Sequence, residues 1–408
     1  MNLRAFSHRY LANHIPRELR ELYAAHTIAV LAGALISVFE PIYLYVLGFS
    51  IAGIFWWYAG IYVGYFLLLP LAARIVVRIG FEHAMLLSTP FLIAYYGVLS
   101  MLDRYPQTLV LAGVFLLANK LLLWPAFHGT LARHGVHGER GREITVFVLI
   151  NRVIGVAAPA IGGIVLARIG PPVLFAVVAV LIMLSNVPLL LTREEKTYEV
   201  VSYRGVWATF RHARLRRPLL AFVGFGEEQL WYVGWAIFMF LALGGYEPVG
   251  YMLSGSLVVG SVVALIIGRV IDERMLKRGS MGVSPLVRLG GSIVALVWVF
   301  RSLLPRGVAI VLVEALDRIA FPVVGMSLRA MNYEMAKIQK TVTINTAFEM
   351  ALAFGKTIAC VLGAILATFT VEPWRWFAVS GFFFVMCYLM LGPRRESPPP
   401  FPAPPRIP

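Results

Sequence analysis

Ten charged side chains lie inside long apolar runs of this 408-residue sequence. A charge in such a setting is expensive and marks a site of pairing, binding or proton traffic. The acids are Glu40, Glu227, Glu228, Glu314, Asp317 and Glu349, and the bases are Lys120, Arg152, Arg318 and Lys356. Glu314, Asp317 and Arg318 stand at i, i+3 and i+4, so they share one helix face. Glu314 and Arg318 can pair there, which leaves Asp317 for another partner. Glu349 and Lys356 are seven apart and also share a face. Lys120 and Arg152 have no acid nearby in sequence and are expected to meet one across a cavity. Six acids against four bases leave two carboxylates that must take up protons or bind a cation. Glu227, Glu228 and Asp317 are the candidates for that chemistry, with Glu40, beside Pro41, behind them. Tyr58, Tyr62 and Tyr65 follow helical spacing and form one wall of a site. Trp231, Tyr232 and Trp235 form a second aromatic group. Trp56 and Trp57 read as interfacial anchors. Rings and both signs of charge suit an amphipathic organic ligand.

The elements that must hold these groups are membrane spans. Of the residues, 59% are hydrophobic and only 14% charged, against about a quarter charged in a soluble domain. Twelve spans of about 20 apolar residues need about 240 positions, and 59% of 408 is about 241. Apolar runs fall at about 22–47, 51–73, 84–102, 107–127, 144–167 and 171–191. A second set falls at about 218–243, 249–267, 286–304, 307–328, 341–367 and 375–391. Residues 1–21 form a basic N-terminal segment without a signal-peptide pattern. Residues 192–217 are a polar linker, and 393–408 a proline-rich tail. With the N-terminus cytoplasmic, the cytoplasmic segments hold 26 of the 36 Lys and Arg. The outer loops then hold five: Arg104, Arg168, Arg301, Arg306 and Arg375. This bias places both termini in the cytoplasm and accounts for the net charge of +15 without a nucleic-acid partner. Cys360 and Cys387, both in apolar runs, read as small core residues.

The chain also repeats itself. The loop after span 2 carries Arg74, Arg78 and Gly80; the loop after span 8 carries Gly268, Arg269 and Asp272. Arg74 and Arg269 are 195 residues apart, almost half the chain. Span 5 holds Gly155, Pro159, Gly162 and Gly163, whose small neighbours allow close helix approach. These loops, and the span 5 pattern, resemble those of the major facilitator superfamily. Its loop aspartate is replaced by Val77 in the first copy, and Ala158 stands for a glycine in span 5. The resemblance implies gating latches at the loops, with the acid present at Asp272 in the second copy, and export as the favoured direction from span 5. It also implies that spans 1, 4, 5, 7, 10 and 11 line a central cavity. All ten deep charges fall on those spans and none on spans 3, 6, 9 or 12.

Other signals fail. Gly355-Lys356-Thr357 lacks the first glycine of a nucleotide-binding loop. His128, His134 and His137 read as solvated loop histidines, and no metal or cofactor site is expected. The expected fold is all-α: a polytopic membrane protein of twelve helices, in two pseudo-symmetric six-helix bundles at 22–191 and 218–392. The expected function is secondary active transport of a small solute by alternating access, coupled to protons, by a monomer in the cytoplasmic membrane. No enzyme activity is expected. The alternative is a receptor or scaffold with a transporter-like fold. Trp231 and Tyr62, with Lys120, Arg152, Glu314, Arg318, Glu349 and Lys356, are the cavity candidates.

Overall fold

A computed structural model describes residues 17–134, 140–190, 199–303, 307–338 and 341–392. Residues 1–16, the first part of the linker, His137 and the proline-rich tail lie outside the described residues, as do the side chains of Arg152 and His134. Apolar runs become helices because lipid offers the backbone no hydrogen bonds, so each span must satisfy its own. No strand occurs among the described residues.

Among the described residues, twelve helical passes follow one another. In the first half they are Arg17–Ile36 with Phe39–Val46 (span 1), Ile51–Ile79 (span 2), Phe81–Leu99 (span 3), Leu109–His134 (span 4), Arg140–Arg168 (span 5) and Pro171–Leu190 (span 6). Span 7 is built in pieces: Arg216–Val223, Gly226–Gln229, a π-helical turn at Leu230–Trp235, and Ala236–Leu243. Then come Tyr246–Arg278 (span 8), Ser284–Leu303 (span 9), Val308–Ile338 (span 10), Thr341–Phe369 (span 11) and Pro373–Leu389 (span 12). Six helices among the described residues are long and apolar enough to cross a membrane on length and composition alone. Others fall short for visible reasons: span 12 has 17 residues, and span 10 carries Glu314, Asp317 and Arg318.

Packing obeys a shift of six spans. Span 1 packs on 5 and 6, span 2 on 4, and span 3 on 4 and 6. Span 7 packs on 11 and 12, span 8 on 10, and span 9 on 10 and 12. The halves meet along span 5 with span 8 and along span 2 with span 11, which the same shift exchanges. Large apolar side chains such as Val110, Val180, Met183, Leu312 and Phe383 face outward. A surface of that kind belongs in lipid.

Both first helices of the halves are broken. Pro41 has no N–H for the carbonyl of Ser37, and span 1 divides between Ile36 and Phe39. In span 7, Gly224 and Gly226 weaken the helix between Val223 and Gly226. Each break is buttressed by a glycine. A Cβ on Gly162 of span 5 would lie 1.9 Å from the Leu35 carbonyl oxygen, and one on Gly355 of span 11 would lie 2.1 Å from that of Val223. The glycine beside Lys356 therefore serves close helix packing.

The expected gating loops are not loops. Arg74 and Arg78 lie in the continuous helix Ile51–Ile79, and Gly268, Arg269 and Asp272 lie in Tyr246–Arg278. These helices overrun the bilayer core, since 29 residues span about 44 Å against about 30 Å of hydrocarbon. The chain turns only at Gly80 (φ 95°) and Gly279 (φ 65°), in a backbone region that favours glycine. The linker also has structure. Its helix Tyr203–Arg211 packs on spans 2 and 11. Glu199 accepts from the backbone N–H groups of Val342 and Thr343, each at 2.8 Å, and caps span 11.

Candidate functional site

The two breaks place carboxylates one residue into the helices that resume, Glu40 after Phe39 and Glu227 after Gly226. Both line a central cavity of ≈ 350 Å³ between the halves. Its other lining charges are Lys120, Glu228, Asp317, Arg318 and Lys356, with Tyr58, Tyr62, Trp231, Tyr232 and Gln229 among its remaining walls. Spans 1, 2, 4, 7, 10 and 11 contribute. Of the sequence candidates, Glu314 and Glu349 are buried behind or below this wall, and the side chain of Arg152 lies outside the described residues.

Each carboxylate has its own environment. Glu40 accepts from the Tyr58 hydroxyl. Glu228 pairs with Lys356 at 2.8 Å. Glu227, 3% exposed, accepts from Trp298 Nε1 at 2.9 Å through Oε2, while Oε1 has no donor. Glu314 accepts from Arg318 at 2.8 Å, from Arg301 at 3.2 Å and from Trp231 Nε1 at 3.1 Å. Asp317 pairs with Arg301 at 3.3 Å.

Arg301 corrects the sequence reading twice. Assigned to an outer loop, it is 1% exposed inside span 9, and so a span expected to lack deep charge carries one. Its guanidinium is stacked between Trp298, 4.5 Å from the ring centre, and Trp235, at 5.2 Å. These rings and two carboxylates make burial tolerable for a charge that would otherwise stay near the interface. The apolar run simply ended too close to Arg301 for sequence to tell a flank from a core position.

His128 is a second correction. It lies within the span 4 helix, buried, and not in a solvated loop. Its Nε2 is 3.1 Å from Glu349 Oε1, and its Nδ1 is 2.7 Å from the Tyr333 hydroxyl. Tyr65 donates to Glu349 Oε2 at 3.2 Å. This cluster lines a smaller cavity of ≈ 190 Å³, which shares Tyr62, Lys120, Glu228 and Lys356 with the central one. Four side chains thus form a partition between two stacked chambers. In it Lys120 Nζ and Lys356 Nζ lie 5.4 Å and 5.6 Å from the centre of the same Tyr62 ring. Lys120 lines the same cavity as Glu40 and Glu228, and among the described residues no carboxylate lies within ion-pair distance of it.

The motif residues have structural partners. Gly163 lies against the Tyr246 carbonyl, Gly250 against that of Pro159, and Gly155 against Leu257, all between spans 5 and 8. The Ala160 N–H, one residue past Pro159, donates to Ser254 Oγ at 3.1 Å. Asp272 is buried, and Arg269 pairs with Glu273 on its own helix at 2.7 Å. Arg74 and Arg78 are exposed. Among the described residues, no group of three or more His, Cys, Asp or Glu is arranged to hold a metal.

Two six-span halves around a charged cavity define a polytopic transporter fold. The profile of the major facilitator superfamily matches residues 22–355, and the chain belongs to that family, whose members are transporters rather than enzymes. Solved structures agree on the fold. A bacterial homologue of the iron transporter ferroportin, outward-facing, is 13% identical, covers 92% of this chain and 98% of its own, and superposes with a TM-score of 0.65. The Escherichia coli fucose:proton symporter is 13% identical over 92% and 98%, with a TM-score of 0.63. The human organic anion transporter MFSD10 is 14% identical over 93% and 100%, with a TM-score of 0.64. No protein of curated function matches the sequence.

Proposed function

We propose that this protein moves a small solute through the central cavity by alternating access, coupled to protons at Glu227, Glu228 and Asp317, with Glu40 contributing. The observation that carries this reading is the cavity itself, walled by both halves and lined by those four carboxylates. Glu227 is the foremost of them, because one of its oxygens is buried without a donor. Such a group is best placed to gain and lose a proton as the halves move. The likeness to a fucose:proton symporter is in keeping with coupling. A solvent-sized cavity between the halves favours transport over a scaffold role, which needs none.

On this reading 22–191 and 218–392 are the two moving units, 192–217 joins them, and both termini are cytoplasmic in the cytoplasmic membrane. Export rests on the span 5 resemblance alone, since packing against spans 1 and 8 explains those glycines. The test is pH-driven uptake in proteoliposomes of a solute found by thermal stabilisation across a compound library. Glu227→Gln is expected to abolish acceleration by a pH gradient while leaving counterflow. The proposal is lost if replacing all four acids together (E40Q, E227Q, E228Q, D317N) leaves pH-driven uptake unchanged.

A further inference from the structure

The linker helix Tyr203–Arg211 has two unlike faces. Val206 and Thr209 are buried, and the helix packs on span 2 of one half and span 11 of the other. Tyr203, Trp207 and Arg211, one helical turn apart, share the opposite face with Arg204, and all four are exposed. The aromatic edge of that face lies along the lipid side of span 2. The Tyr203 hydroxyl donates to the Leu67 carbonyl at 2.9 Å, and the Trp207 ring centre is 6.3 Å from that of Phe66. Leu67, Leu68 and Leu71 are exposed apolar side chains there. Leu67 stands seven residues before Arg74, the first charge of its helix, and so about 10 Å deeper in the membrane. Tyr203, 45% exposed, and Trp207, 47% exposed, are therefore set at the boundary of the acyl chains.

Charge completes the pattern. Residues 199–217 hold five arginines against one acid, Glu199, and that acid is engaged by the N–H groups at the start of span 11. Arg204, Arg211, Arg216 and Arg217 are exposed, and among the described residues none meets a carboxylate at ion-pair distance. Topology alone accounts for basic residues on this side of the membrane. It does not require a helix laid across two spans with its exposed rings beside leucines and its arginines turned the same way. We infer that the helix Tyr203–Arg211 is a docking surface for anionic phospholipid of the leaflet on the linker side. Arg204 and Arg211 hold the phosphate groups, and Tyr203 and Trp207 lie among the upper acyl chains. Because the helix rests on both halves, bound lipid stabilises the arrangement in which spans 2 and 11 lie together. The inference is independent of which solute is moved.

The experiment uses the full chain in bilayers of phosphatidylcholine with increasing phosphatidylglycerol, with bromine on the acyl chains of one lipid or the other. The chain holds nine tryptophans, so the Trp207 signal is the difference between the wild type and Trp207→Phe. Brominated phosphatidylglycerol is expected to quench it at a lower mole fraction than brominated phosphatidylcholine, which yields a relative association constant. Arg204→Gln and Arg211→Gln are each expected to lower that constant about fivefold, as fits one arginine near an anionic surface. Arg204→Lys and Arg211→Lys, which keep the charge, should retain it. Lys277→Gln with Arg278→Gln, exposed at the end of span 8 on the same side, should leave it unchanged. Melting temperatures in phosphatidylcholine alone should match the wild type, which separates lost lipid from lost fold. A Trp207 signal that neither lipid quenches overturns the inference, as does equal quenching of the wild type by both. An equal loss of preference on replacing Lys277 and Arg278 also overturns it, because the effect is then one of net charge. Inorganic phosphate is the last probe. If it raises the melting temperature in phosphatidylcholine as much as phosphatidylglycerol does, the surface takes a free anion and the lipid assignment fails.

Discussion

Arg301 shows how one side chain changes the meaning of its neighbours. Counting spans without it leaves two acids in excess, whereas its guanidinium joins Glu314 and Asp317 at 3.2 and 3.3 Å. The formal imbalance then shrinks, and the carboxylate with an open valence is Glu227. Removing one partner of a buried ion pair is far more damaging than the pair's net worth, on the order of 3–5 kcal/mol. Arg301→Leu is therefore expected to lower the melting temperature sharply. Arg375→Leu, which breaks an exposed pair with Glu372, should barely move it. Similar small shifts for both would return Arg301 to the surface position that sequence suggested.

At the scale of elements, the decisive features are the interruptions in spans 1 and 7. A continuous helix buries each backbone polar group; a break frees some of them and turns the following side chain toward the cavity. Glu40 and Glu227 occupy that position in the two halves. The breaks persist because a glycine on the crossing helix lets the backbones touch, Gly162 at Leu35 and Gly355 at Val223. Even one methyl group there forces the helices apart. Gly162→Ala and Gly355→Ala are each expected to cost about 1–3 kcal/mol and to reduce the yield of folded protein on size-exclusion chromatography. Gly97→Ala, with open space around its added methyl, is the control and should match the wild type.

In the whole molecule, polar clasps join the halves at both ends. At one end His128 of span 4 and Tyr65 of span 2 hold Glu349 of span 11, and Tyr333 of span 10 meets His128. At the other, Arg168 at the end of span 5 pairs with Glu247 at the start of span 8 at 2.8 Å, and both are more accessible. The buried clasp should govern the equilibrium, since exposed pairs contribute little. Spin labels at Arg78→Cys and Lys277→Cys, at the ends of spans 2 and 8, report the first of these ends once Cys360 and Cys387 are replaced. His128→Gln and Glu349→Gln are expected to shift the label distances toward longer values. Unchanged distance distributions would show that the clasp does not hold the halves together.

Composition and periodicity alone determined the solvent, the helical class, the repeat and most of the cavity charges. These are local properties: apolar length sets a span, and a charge in lipid is costly wherever its neighbours lie. The i, i+4 pair of Glu314 and Arg318 was legible for the same reason. Which charge meets which across the cavity was not, because Lys356 and Glu228, or Glu349 and His128, are brought together only by the crossing of helices distant in sequence. The tertiary structure likewise decided that Arg301 is core and that the gating loops are helix ends. It also decided that Lys120 shares one cavity with Glu40 and Glu228, because burial and pairing are properties of packed neighbours.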